Sequence, residues 1–177
     1  MERRDVVIVG SGPAGAATAL RLAARAPALA ARAVMLEKAR HPREKTCAGG
    51  VIPKALRLLE ELGVAFRAPH AQVDGAAVEV PGRGVRVTAP DLCRVVRRAE
   101  FDADLAWAAR DRGVELREEE HVAHLARDGA GVRVETDRRT YWTPLVVGAD
   151  GDAREVAASA GEDVRGRRYP EGAPSAR

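Results

Sequence analysis

The chain has 177 residues, 46% of them hydrophobic, 31% charged and only 3% aromatic, with a net charge of +3. That length suits one domain with a real core, and the dispersed basic residues form no stripe interleaved with stacking aromatics, which excludes a nucleic-acid surface. No run of about 18 apolar residues exists to span a membrane.

Met1-Glu-Arg-Arg-Asp5 carries no apolar signal segment, and the two cysteines, Cys47 and Cys93, lack a C-x-x-C spacing. Both features point to a reduced, cytoplasmic chain. Val6 to Val9 is a short continuous apolar run, as a parallel strand covered on both faces would show. Gly10, Gly12 and Gly15 then fit G-x-G-x-x-G, with Pro13 and Ala14 opening an Ala/Leu helix that runs to Ala26. In that pattern Gly10 permits the tight turn, Gly12 lets the backbone approach a pyrophosphate, and Gly15 lets helix pack on strand. A second strand, Ala33 to Leu36, ends in Glu37, about 20 residues past the glycines, where an acid takes ribose hydroxyls. Such an acid disfavours a 2′-phosphate, so the site suits FAD or NAD better than NADP.

Residues 38 to 52 form a long loop without periodicity, and loops of that length are usually functional. Pro53 opens a helix through Leu62, with Leu58, Leu59 and Leu62 on one side and Gly63 as its stop. Residues 73 to 89 alternate about Pro81-Gly-Arg-Gly84, which reads as a hairpin. A helix follows over Ala103 to Arg112, with Asp102 as N-cap and Gly113 as stop. Val114 to Leu116 reads as a further parallel strand. Residues 119–126, 132–136 and 139–143 read as an antiparallel meander with its first turn at Asp128-Gly129. His121 and His124 fall on opposite faces there, which argues against a metal pair. Leu145 to Asp150, followed by Gly151, returns to the parallel sheet. The predicted domain is 1–164, with 165–177 an Arg/Pro/Gly-rich tail expected to be poorly ordered.

Four segments together resemble the glutathione-reductase-like FAD-binding fold and, more narrowly, the geranylgeranyl reductase family, related to the aromatic-ring flavin monooxygenases. They are VVIVGSGPAGAATALRLA with Glu37, REKTCAGGVIPKAL, VVRRAEFDADLAWAARDRGVEL and VVGADG. The resemblance implies an α/β, Rossmann-like three-layer fold with a parallel sheet and an antiparallel β-meander, holding FAD. It implies that Lys45, Cys47, Ala48, Gly49 and Gly50 belong to a loop over the isoalloxazine, that Arg98 contacts the cofactor, and that Val122 offers backbone near the adenine. Lys38 beside Glu37 and Asp150-Gly151 complete the implied cofactor set; no catalytic acid or base is assigned and no metal site is expected. Each residue also has a plainer reading: Cys47 as a buried apolar residue, Arg98 as a solvated charge, Gly49-Gly50 as a turn. Arg154 and Ala157 stand where related flavoproteins usually carry serine and arginine.

Family members are far longer, so the sequence reads as the N-terminal half of a flavoenzyme. The expected activity is FAD-dependent reduction of a polyprenyl double bond on a small-molecule or prenyl-lipid substrate. That reading leaves room for peripheral membrane contact and for a partner chain that supplies the other half. The alternatives are an FAD-binding remnant without turnover, a fragment of an aromatic-ring monooxygenase, and an NAD dehydrogenase, which accounts only for the first 37 residues.

Overall fold

The computed structural model describes residues 1–151, so the predicted tail at 165–177, the end of the 1–164 domain, Arg154 and Ala157 lie outside the described residues. In chain order, β1 (Glu2–Arg3) and β2 (Val6–Val9) lead into α1 (Pro13–Arg25), a short α2 (Pro27–Ala30) and β3 (Ala33–Leu36). Beyond the long loop come β4 (Gly50–Val51), α3 (Pro53–Glu61), β5 (His70–Val80), β6 (Arg83–Val96) and α4 (Arg98–Asp111). The chain continues through β7 (Glu115–Arg117), β8 (Val122–Asp128), β9 (Gly131–Thr136), β10 (Thr140–Thr143) and β11 (Leu145–Gly148).

The body has three layers. In the middle lies a parallel sheet of order β11-β2-β3-β7. Every residue of β2 and β3 is buried, because the sheet is covered on both faces. Val6, Ile8, Ala33 and Met35 face a core shared with α1, α3 and α4, to which Leu20, Phe101 and Leu105 contribute. Val7, Val9, Val34 and Leu36 face the other way, onto Leu125, Val134 and Tyr141 of the β8-β9-β10 meander. The continuous apolar run thus serves two cores by simple alternation.

An ionic cluster ties the meander to the sheet. Arg117 on β7 donates to both Glu2 carboxylate oxygens and to the Tyr141 hydroxyl, which itself donates to buried Glu120 at 2.6 Å. Hydrogen bonding from Arg117, helped by Arg4, outweighs the effect of burial and holds the Glu2 carboxyl down at about 2.

Three expectations need correction. The hairpin is longer than residues 73–89, pairing His70 with Val96 at its base, and Val78, Val80, Val85 and Val87 are exposed along it. On α3 the buried stripe is Leu56, Leu59 and Leu62; Leu58 is 42% exposed, because spacings of three keep one face and Leu58 falls off it. Finally, α4 begins at Arg98, so Asp102 is no cap but lies inside the helix, fully buried. The reason is electrostatic. Arg98 grips Asp102 through two hydrogen bonds of 2.7 and 2.8 Å, one helical turn apart.

Candidate functional site

At the carboxyl ends of β2, β3 and β11 the chain leaves the sheet and opens a cleft of about 790 Å³. That is where open parallel sheets place their ligands. The turn after β2 is built by glycine. Gly10 sits at φ +97°, and a Cβ on it would stand 2.7 Å from the Ala149 carbonyl carbon, so only glycine allows β11 to come this close. Gly15 packs its Cα against the Gly10 carbonyl, which lets α1 press onto the strand. Gly12 differs from both. It has an ordinary extended conformation, and a Cβ there would meet nothing nearer than the Arg43 guanidinium at 3.4 Å.

Gly12 is also the N-cap of α1, with Pro13 at the first helical position. Among the described residues no side chain caps this terminus, and no acid occupies its first turn. A bare helix N-terminus with a glycine surface is suited to an anion such as a pyrophosphate.

Glu37 follows β3 and is 5% exposed. Its Oε2 accepts from the Ser11 N–H at 3.1 Å and the Ser11 hydroxyl at 2.8 Å, and its Oε1 from the Ala39 N–H at 3.2 Å. Burial pushes its carboxyl up, but the two Ser11 donors, Arg43 and the Ala39 N–H outweigh that and hold it below the ordinary carboxylate value. The residue is therefore an anion at neutral pH, an acceptor for hydroxyls and repellent to a phosphate.

Arg43 stretches from the loop across the cleft floor. Its guanidinium lies 3.3 Å from Glu37 Oε1 and 3.4 Å from Asp102 Oδ2. Asp102 thus anchors two arginines, Arg43 and Arg98, which are only 14% and 17% exposed. Asp102→Ala leaves Arg98 without its buried counter-ion and Arg43 with Glu37 alone, and is expected to cost roughly 3 kcal/mol in urea unfolding. A loss below about 1 kcal/mol would mean that solvent already screens the pair.

Of the predicted residues, the glycine turn contributes Gly10, Gly12, Pro13 and Ala14 to the cleft wall. Glu37, Lys38 and Val122 line it as well, and so do Lys45, Arg98, Asp150 and Gly151. Val122 reaches it because the Glu120 N–H donates to the Glu37 carbonyl, which runs the segment before β8 alongside the end of β3. His121 lines the cleft too, while His124 is exposed on β8.

The remaining predicted residues stand apart from it. Gly15 is behind the wall, in the strand–helix contact. Cys47 and Ala48 are exposed, so the reading of Cys47 as a buried apolar residue is overturned. The Gly49 N–H, followed by Arg98, draws the Cys47 thiol below its ordinary value. Gly49 is buried at φ +73°, where a side chain would run into the Val96 carbonyl oxygen. Its missing side chain therefore serves β6 rather than a flat ring. Among the described residues nothing lies within 4 Å of where a side chain on Gly50 would start, which leaves that position open toward them.

Sequence reasoning missed Ser11, His41, Arg43 and Asp102. Ser11 occupies a variable position of the glycine motif, and the loop that carries His41 and Arg43 has no periodicity to mark them. Asp102 looked like a cap because it precedes an apolar helical pattern.

The family described as FAD binding domain matches residues 3–174. The menaquinone reductase of Mycolicibacterium smegmatis is 34% identical over 165 residues, which cover 84% of this chain and 38% of that protein. The chain therefore spans well under half the length of this curated relative. Among solved structures, a geranylgeranyl bacteriochlorophyll reductase-like protein from Thermoplasma acidophilum superposes with a TM-score of 0.73. It is 22% identical, over 92% of this chain and 43% of the other. A variant of the halogenase PltM in complex with FAD superposes with a TM-score of 0.60 at 21% identity, over 82% and 34% of the two chains. These two likenesses show the fold.

Proposed function

The chain belongs to the FAD binding domain family, with FAD as its cofactor, and from that premise we propose that it is the cofactor-holding part of a flavin-dependent reductase of polyprenyl lipids. The geometry fits the adenosine-diphosphate end of FAD on its own terms: a bare Gly12 surface, an uncapped α1 N-terminus and a buried, ionised Glu37 lie in one cleft. In this reading the α1 N-terminus and Gly12 receive the pyrophosphate, and Glu37 accepts from the ribose. Backbone at Val122 borders the adenine. Arg98 and Lys45, with Asp150-Gly151 across from them, border the flavin half, and the Cys47–Gly50 loop lies over the ring.

Bound and reduced, FAD supplies a hydride. The chain's own contribution is to orient it. The buried Asp102 carboxylate fixes the Arg98 guanidinium through two hydrogen bonds, so Arg98 presents its charge in one direction. The open surface at Gly50 gives a planar group room to lie against the backbone.

The substrate class is supported by the menaquinone reductase relative, since menaquinone carries a polyprenyl tail, and by the Lys45-x-Cys47-x-Gly49-Gly50 loop. The loop weighs toward the geranylgeranyl reductase family and away from aromatic-ring monooxygenases. The reading includes a cytoplasmic protein that meets its lipid at a membrane surface. Among the described residues no helix is long and apolar enough to cross a membrane.

The test is to incubate the purified chain with FAD, dithionite and a geranylgeranyl lipid or menaquinone, and to follow lipid mass. The expected result is that the chain alone leaves the lipid unsaturated, and that two hydrogens are added to the polyprenyl chain when a partner chain supplies the other half. An added oxygen on a phenolic substrate under air and NADPH would replace this reading with the monooxygenase one. Saturated lipid from the isolated chain would overturn the reading of a cofactor-holding part and make the chain an enzyme in its own right.

A further inference from the structure

Beside Glu37 lies a buried histidine that the cofactor reading does not use. His41, on the loop after β3, is 6% exposed, and its Nε2 lies 2.7 Å from the Ser11 hydroxyl oxygen. The direction of that hydrogen bond follows from proton counting. Ser11 has a single hydroxyl proton, and at 2.8 Å it goes to Glu37 Oε2, an ionised oxygen that only accepts. His41 Nε2 must then carry a proton and donate it to Ser11 Oγ. His41 Nδ1 is buried without a partner among the described residues, which suits a bare nitrogen better than an N–H.

We propose that His41 is a positioning residue for the cofactor ribose: its Nε2–H holds the Ser11 hydroxyl, which in turn pins Glu37 Oε2 and leaves Oε1 to receive a ribose hydroxyl. The division of labour between the two carboxylate oxygens supports this. Oε2 is filled by both Ser11 donors. Oε1 accepts only from the Ala39 N–H, because the Arg43 Nε at 3.3 Å makes no hydrogen bond among the described residues. A carboxylate oxygen has room for a second donor, so Oε1 keeps one place for the ribose.

The relay needs a proton on His41 Nε2, and the buried, unpartnered Nδ1 makes the neutral Nε2–H form the one that fits. Charged groups face it from every side: Glu37 at the end of β3, Arg43 on its own loop, Glu118 after β7, whose carboxylate accepts the His41 backbone N–H at 2.7 Å, and Asp102 on α4. Burial, followed by Arg43, lowers the imidazole below its ordinary value of 6.5, and the carboxylates recover only part of that. The neutral form therefore persists below the pH at which an exposed histidine takes up its proton.

This inference rests on Glu37 as the ribose carboxylate, and ADP tests it because ADP carries that ribose without the flavin. His41→Phe and Ser11→Ala should each weaken ADP binding about three- to tenfold, the range expected for one lost hydrogen bond. The double variant should lose no more than Ser11→Ala alone, since that change already breaks the chain in which His41 acts. His41→Gln, whose amide offers a donor near the same place, should recover most of the affinity. Ring 15N spectra of the wild-type chain should show one histidine in the Nε2–H form that stays neutral to lower pH than a free imidazole. Unaltered ADP affinity in His41→Phe, additive losses in the double variant, or an Nδ1–H ring would each overturn the proposal. Failure of the wild-type chain to bind ADP would instead remove the reading of Glu37 itself, and the ring spectra do not depend on it.

Discussion

Gly12→Val should abolish measurable binding of both FAD and ADP while leaving the thermal midpoint of the protein nearly unchanged. Gly12 has φ −65° and ψ −176°, an extended conformation open to any residue, so valine brings no backbone strain. An added Cβ does not itself collide with the protein: its nearest atoms are the Arg43 Nη2 at 3.4 Å, the far end of a flexible side chain, and the Asp102 Oδ2 at 4.0 Å. Gly12 lines the cleft at the α1 N-terminus, so a branched side chain there takes up space that, in the proposed reading, the pyrophosphate needs to approach the backbone. Losing two charge-assisted hydrogen bonds there, each worth roughly 1.5–3 kcal/mol, weakens binding by at least about 100-fold. Flavin-fluorescence titration and ADP calorimetry measure it directly. If the variant binds ADP like the wild type, the pyrophosphate does not lie over Gly12, and the assignment of the whole cleft falls with it.

How much of this was legible in the chain depends on how far apart the interacting residues are. The β2–α1–β3 unit could be read because its signals are local: an unbroken apolar run, glycines at fixed spacing, and an acid at the end of the next strand. The meander and β11 could be read for the same reason, through alternation and turn residues. Asp102 was misjudged because its true partners are not its sequence neighbours at a helix start. One is a turn away on α4, the other, Arg43, on a distant loop, and only the folded chain shows that a buried carboxylate is needed there. Leu58 was misjudged more simply, since a run of leucines leaves the buried stripe open to a shift of one position. The loop after Glu37 was marked as functional by its length, but nothing in its composition says that His41 turns inward to Ser11 while Cys47 stays exposed. Those outcomes depend on hydrogen bonds formed after the sheet has set the geometry.

Gly15→Ala should fail on the other side of the same motif, by destabilising the fold rather than by blocking the ligand. A Cβ on Gly15 would overlap the carbonyl oxygen of Gly10 and stand 3.0 Å from its carbon. Both are backbone atoms that cannot swing aside. Helix propensity works the other way, since alanine is favoured over glycine in a helix by roughly 1 kcal/mol. Overpacking of a rigid contact costs about 1–3 kcal/mol and sometimes more, and here the atoms interpenetrate, so the upper end of that range applies. The steric cost wins, and urea unfolding should show a net loss of at least about 2 kcal/mol. Relief is available only if α1 slides off β2, and that movement would draw the helix N-terminus away from the cleft. Whatever fraction of Gly15→Ala stays folded should therefore also bind ADP more weakly, a combined loss that Gly12→Val does not show. A Gly15→Ala protein as stable as the wild type, with ADP binding intact, would mean that the helix and strand are not in the close contact described here, and that this glycine owes its place to something other than packing.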